Sequence, residues 1–96
     1  MLVLRGSIDL PVHAAGGFDH GDVHLATGRV FVAHTANDTV DVLDGHNLAY
    51  AGSIRGCPEG SRVLCTQDDG GALVLAATRG RGQGPGPRCN LLRAPA

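Results

Sequence analysis

The chain has 96 residues, room for one small domain, and its formal net charge of -1 excludes a general electrostatic attraction to nucleic acid or to anionic membranes. Hydrophobic residues make up 43%, but with two Phe, one Tyr and no Trp the core must be built from Val, Leu, Ile and Ala. The 15 Gly and 5 Pro punctuate it as an all-β protein of short strands, and no stretch has the period of a long amphipathic helix.

In chain order, residues 2–10 read as a strand that Pro11 stops, and residues 12–17 as a loop ending in Gly16-Gly17. Phe18 to His24 is the next strand. Leu25-Ala26-Thr27-Gly28 is a turn, because glycine accepts the positive φ that tight hairpins need. Strands follow at 29–35, 39–43 and 48–54, separated by turns at Ala36-Asn37-Asp38 and Asp44-Gly45-His46. The series restarts after Cys57-Pro58-Glu59-Gly60 with a strand over 62–67, a turn at Asp68-Asp69-Gly70-Gly71 and a strand over 72–78.

Four strands joined in series by short turns make an antiparallel meander, the unit of one propeller blade. The chain repeats that unit. Arg29-Val30-Phe31-Val32-Ala33-His34-Thr35 recurs 43 residues on as Ala72-Leu73-Val74-Leu75-Ala76-Ala77-Thr78, and Gly6-Ser7-Ile8 recurs 46 residues on as Gly52-Ser53-Ile54. The expected organisation is all-β, an incomplete propeller of four-stranded blades. Residues 1–17 hold the last strand of a preceding blade and a linker, 18–54 a complete blade, 55–84 a partial second blade, and 85–96 a disordered Pro/Gly/Arg tail, since Pro85 and Pro87 cannot donate to a ladder. The consecutive apolar positions of Ala72–Ala77 and Val30–Ala33 predict sheets covered on both faces.

Over Phe18-Asp19-His20, then Ala26-Thr27-Gly28-Arg29-Val30-Phe31-Val32-Ala33-His34-Thr35 and Asn37-Asp38-Thr39-Val40-Asp41-Val42-Leu43-Asp44, the chain resembles the YVTN or YncE-like β-propeller repeats. The resemblance spans residues 6–78 and is closest over 18–54. It implies a WD40-like blade and a role among binding scaffolds, surface proteins or components near redox or lactone-cleaving enzymes. Rings of this family close with about seven blades, and this chain holds fewer than two.

Two side-chain sets bear on chemistry. In His20-x-Asp22-x-His24, alternate residues of a strand share a face, so these three side chains are a candidate set for one divalent metal such as Zn²⁺ or Mn²⁺; the alternative is a polar lining of the channel-facing strand. Asp41 lies mid-strand, either facing solvent or beside His34 across the hairpin. The pair His34 and Asp41 is a candidate acid/base couple if a closed pocket surrounds it. Asp38 and Asp44 sit at turns, where aspartate bonds its own backbone. Serines lack the Gly-x-Ser-x-Gly elbow, and the glycines of 80–86 have no lysine or helix to hold phosphate.

The sequence therefore favours a non-catalytic binding or self-assembly scaffold without cofactor, whole or a fragment of a longer array, whose partner is itself or another propeller-repeat chain, with no nucleic acid and no membrane. The rival is a lactonase-like hydrolase using one divalent metal at His20, Asp22 and His24. Lacking a signal-peptide pattern, the chain is expected in the cytoplasm, with export open if the N-terminus is truncated. Cys57, Cys65 and Cys89 include no CxxC; Cys57 and Cys65 are read as buried thiols, able to bridge only if exported.

Overall fold

The computed structural model describes residues 2–10, 17–57, 60–78 and 88–94, with the backbone alone for 88–90. The loop expected over 12–17 apart from Gly17, Pro58-Glu59 and the glycine-rich run with Pro85 and Pro87 lie outside them. The fold is all-β, with two antiparallel sheets. Sheet 1 has the order β1 (Gly21–His24), β2 (Arg29–His34), β3 (Thr39–Asp44), β4 (Ala49–Ile54), and sheet 2 the order β5 (Gly60–Asp68), β6 (Gly71–Thr78), β7 (Arg88–Arg93).

The turns follow local chemistry. Gly28 takes φ 73 between β1 and β2. A short 3-10 turn over Thr35–Asn37 is closed by Asp38 at φ 56, a left-handed conformation that aspartate tolerates. Asp44 accepts hydrogen bonds from the His46 and Asn47 amides at 2.9 and 3.1 Å and from the Asn47 side chain at 2.7 Å, which fixes the β3–β4 turn.

The repeat is carried in the strand register. Asp22 pairs with Phe31 in β1–β2, and Cys65 pairs with Val74 in β5–β6, each member 43 residues beyond its counterpart. The buried faces match as well. Phe31, Ala33, Val40 and Val42 of sheet 1 form one core with Val63, Val74 and Ala76 of sheet 2, backed by Ile54, Cys65, Ala72 and Leu92. Val74 and Ala76 are the counterparts of Phe31 and Ala33, so the two sheets turn corresponding faces toward each other.

Three expectations are corrected. Residues 2–10 form no strand; they pass the β3–β4 turn, where a Cβ on Gly6 would lie 3.2 Å from Leu48 Cδ1. Residues 88–93, assigned to a disordered tail, form β7: both prolines precede Arg88 in sequence, so the ladder loses no donor, and the Arg93 guanidinium grips Asp68 through bonds of 2.7 and 3.0 Å. The second unit thus runs past residue 84. Finally, cover on both faces is partial for β2, which buries Phe31 and Ala33 and leaves Val30 and Val32 half-buried, and fails for β6, which buries Val74 and Ala76 and leaves Leu75 exposed; the strand buried on both faces is β3, over Thr39–Val42.

Candidate functional site

The polar groups of sheet 1 converge on Asp41, which is 0% exposed and stands mid-strand in β3. Register places Val32 and Ser53 on either side of it, while Thr39, two residues back on the same face, pairs with His34. His34 Nδ1 donates to Asp41 Oδ2 at 2.5 Å, and His34 too is 0% exposed. Asp41 Oδ1 accepts from Thr39 Oγ1 at 2.8 Å and from Ser53 Oγ at 2.7 Å. Because the Ser53 proton points at the carboxylate, the Tyr50 hydroxyl, 2.5 Å away, donates to Ser53 Oγ. Asn37 Nδ2 donates to Thr39 Oγ1 at 3.2 Å.

A β-bulge makes this reach possible. The β3–β4 register shifts between Val42 and Leu43, so Val42 faces Gly52 while Leu43 faces Tyr50 and Ala51 is the extra residue. Residues three apart normally point to opposite faces of a strand. The bulge brings Tyr50 and Ser53 to the same face, and Gly52 takes the φ of 144 that this bend needs. The Phe18 ring stacks on His34 with centroids 4.2 Å apart, and the Gly17 carbonyl accepts the Ala36 amide at 3.1 Å, anchoring the segment that carries Phe18.

The arrangement is that of a buried carboxyl group whose two oxygens accept from three side-chain donors in the interior. Sealed from solvent, the His34–Asp41 pair offers no face to a substrate, and its chemistry is to tie β2, β3 and β4 together. The second repeat lacks it. By register, Ala77, Cys89 and Leu91 occupy the positions of His34, Thr39 and Asp41.

The metal candidates lie elsewhere, along β1 where it runs beside β5. The His20 amide donates to the Ser61 carbonyl at 3.0 Å, and the His20 ring, just before β1, has Nδ1 2.5 Å from Asp19 Oδ1 and 3.2 Å from the Ser61 carbonyl. Asp22 accepts the Val23 amide on Oδ1 and the Cys65 amide on Oδ2, both at 2.8 Å. These two amides, Cys65 first, hold its carboxyl below the usual aspartate value. His24 donates from Nε2 to Gln67 Oε1 at 3.0 Å, and its Nδ1 is 2.8 Å from Thr27 Oγ1. Both oxygens of Asp22 and both ring nitrogens of His24 therefore have partners, and those to Cys65 and Gln67 fasten β1 to β5. Among the described residues no group of three or more His, Cys, Asp or Glu side chains is placed to hold a metal ion.

Sequence reasoning brought out His34 and Asp41 but missed Thr39, Ser53, Tyr50 and Asn37. Thr39 was accessible through period two from Asp41; Ser53 and Tyr50 depend on the bulge. Cys57 and Cys65 have little nucleophilic character. Cys57 and Cys65 are free thiols; burial, and after it the charge of Asp22, pushes Cys65 up to about 11, while burial, and after it Asp38, raises Cys57.

One apolar feature stands on the outer face of sheet 2. Leu64 pairs with Leu75 and Leu75 with Leu91, so the three form a continuous row across β5, β6 and β7, at 62%, 39% and 61% exposure. No helix among the described residues is long and apolar enough to cross a membrane. Set against protein-family models, curated proteins and solved structures, the chain matches none of them.

Proposed function

We propose that this chain is a non-catalytic β-repeat module, YncE-like in its repeat pattern, that acts as a self-assembly scaffold through the open side of sheet 2. The observation that carries this reading is the Leu64–Leu75–Leu91 row. The opposite face of the same sheet is fully used in the core, and burying the row in an assembly is worth about 25 cal/mol for each Å² removed from water. A second copy suits the row, since it offers the same uncharged row in return and the net charge of -1 imposes little repulsion between copies. The buried groups point the same way. The most polar interior cluster is spent on joining strands, which is what a scaffold requires.

The test is Leu75→Arg, judged by light scattering beside the unchanged protein. Leu75 is exposed in the single chain, so the fold should survive, with an unaltered circular dichroism spectrum, while the oligomer should fall to monomer. An unchanged mass for Leu75→Arg would remove the leucine row from the account.

A further inference from the structure

Among the described residues sheet 1 has four strands and sheet 2 has three, and the strand that sheet 2 lacks there is the counterpart of β4, which would lie along the outer edge of β7. The chain contains a second copy of β4 in sequence. Gly6-Ser7-Ile8 repeats Gly52-Ser53-Ile54, the glycine of the bulge, the serine of the Asp41 cluster and the isoleucine packed against the core. Residues 2–10 are in no strand, and Leu2, Val3 and Leu4 stand exposed.

We infer that residues 3–8 of one copy add to the free edge of β7 in another, completing sheet 2 as a four-stranded sheet. The inference rests on the self-assembly reading and names the element that performs it. The β3–β4 register fixes the placement: Gly6 falls opposite Leu92, Ser7 opposite Leu91 and Ile8 opposite the Asn90 position, as Gly52, Ser53 and Ile54 fall opposite Val42, Asp41 and Val40. Ile8 then lies on the core side, as Ile54 does. Leu4, the counterpart of Tyr50, lies on the outer side and extends the leucine row. The ladder groups on the outer edge of β7, which pair with no strand among the described residues, gain backbone partners, the ordinary driving force of strand addition at a sheet edge.

Within its own chain the segment passes the β3–β4 turn of sheet 1 and not β7, and residues 2–7 stay exposed there, so they are available to a second molecule. Gly6 approaches Leu48 there, and Ile8 and Leu10 are half-buried. Among the described residues no strand pairs with the outer edge of β7, which leaves it for a neighbour. Since donor and acceptor are different surfaces, the contact is head-to-tail and propagates until the assembly closes on itself.

The experiment mixes two full-length variants, Ser7→Cys and Leu91→Cys, under mild oxidation, with peptide mapping to identify the linked positions and light scattering on the unchanged protein in parallel. The expected result is a disulfide joining position 7 of one chain to position 91 of the other, absent from either variant alone. A chain carrying both substitutions that forms this link within a species of monomer mass would overturn the exchange between copies. An oligomer of the unchanged protein with no link between positions 7 and 91 would overturn strand donation and leave self-assembly standing. A monomer with no such link would remove both.

Discussion

Replacing Asp41 by leucine is the sharpest perturbation of the fold, and the protein supplies its own control, because leucine stands at the corresponding position 91 of the second repeat. The substitution leaves His34, Thr39 and Ser53 each with a donor aimed at a carboxylate that is gone. Leaving a buried donor without its acceptor costs about 1–3 kcal/mol, so three such donors put the loss at about 3–5 kcal/mol when the lower part of that range is summed. A small domain has about 5–15 kcal/mol in all, and this one belongs near the lower end because its core contains few large side chains. Urea unfolding followed by circular dichroism should move its midpoint down by roughly 2–3 M, given a slope of about 1.5 kcal/mol/M for a domain of this size. The double variant His34→Leu/Asp41→Leu should be no less stable than Asp41→Leu alone, since it removes the orphaned donor together with the carboxylate. A loss below about 1 kcal/mol for Asp41→Leu, or simple additivity in the double variant, would refute the cluster as the tie between β2, β3 and β4.

Three further outcomes follow from individual residues. Leu48 sits at φ 53 in the β3–β4 turn, so Leu48→Asn should raise stability by up to about 1 kcal/mol in a urea titration, and a loss would show that its contact with Gly6 outweighs the strain. The carboxyls of Asp22, Asp44 and Asp68 are held below 3.8, Asp68 at about 2 by Arg93 and then the Gly70 amide. Because the folded values are depressed, this stabilisation is complete above 3.8 and disappears as pH falls through them, so the melting temperature should drop on acidification below pH 3.8. Asp22→Asn/Asp68→Asn should flatten that drop, and an unaltered profile would count against it. With its thiol at about 11, Cys65 should be alkylated by iodoacetamide at pH 8 far more slowly in the folded protein than in urea; equal rates would contradict its placement.

Much of the fold was legible because glycine-bearing turns bound the strands and the period-two pattern marks their faces. The 43-residue offset between β2 and β6 survives in the register of both hairpins. β7 was hidden because its connection is longer than the four residues between His34 and Thr39, which put Pro85 and Pro87 where a copied strand was sought. The direction of packing was also hidden. Ala72–Ala77 is apolar on both faces, and only the three-dimensional pairing shows that Val74 and Ala76 take the core while Leu75 faces outward. For the site, one hairpin suffices to bring His34 near Asp41, whereas Tyr50 and Ser53 join through a bulge at Ala51 that no residue type announces.

The central claim is that the chain works by associating with copies of itself, and the most direct test is the molar mass of the unchanged protein by light scattering over a range of concentrations. The account predicts a defined oligomer that dissociates to folded monomer on dilution and is lost in Leu75→Arg. A folded monomer at every concentration would contradict it.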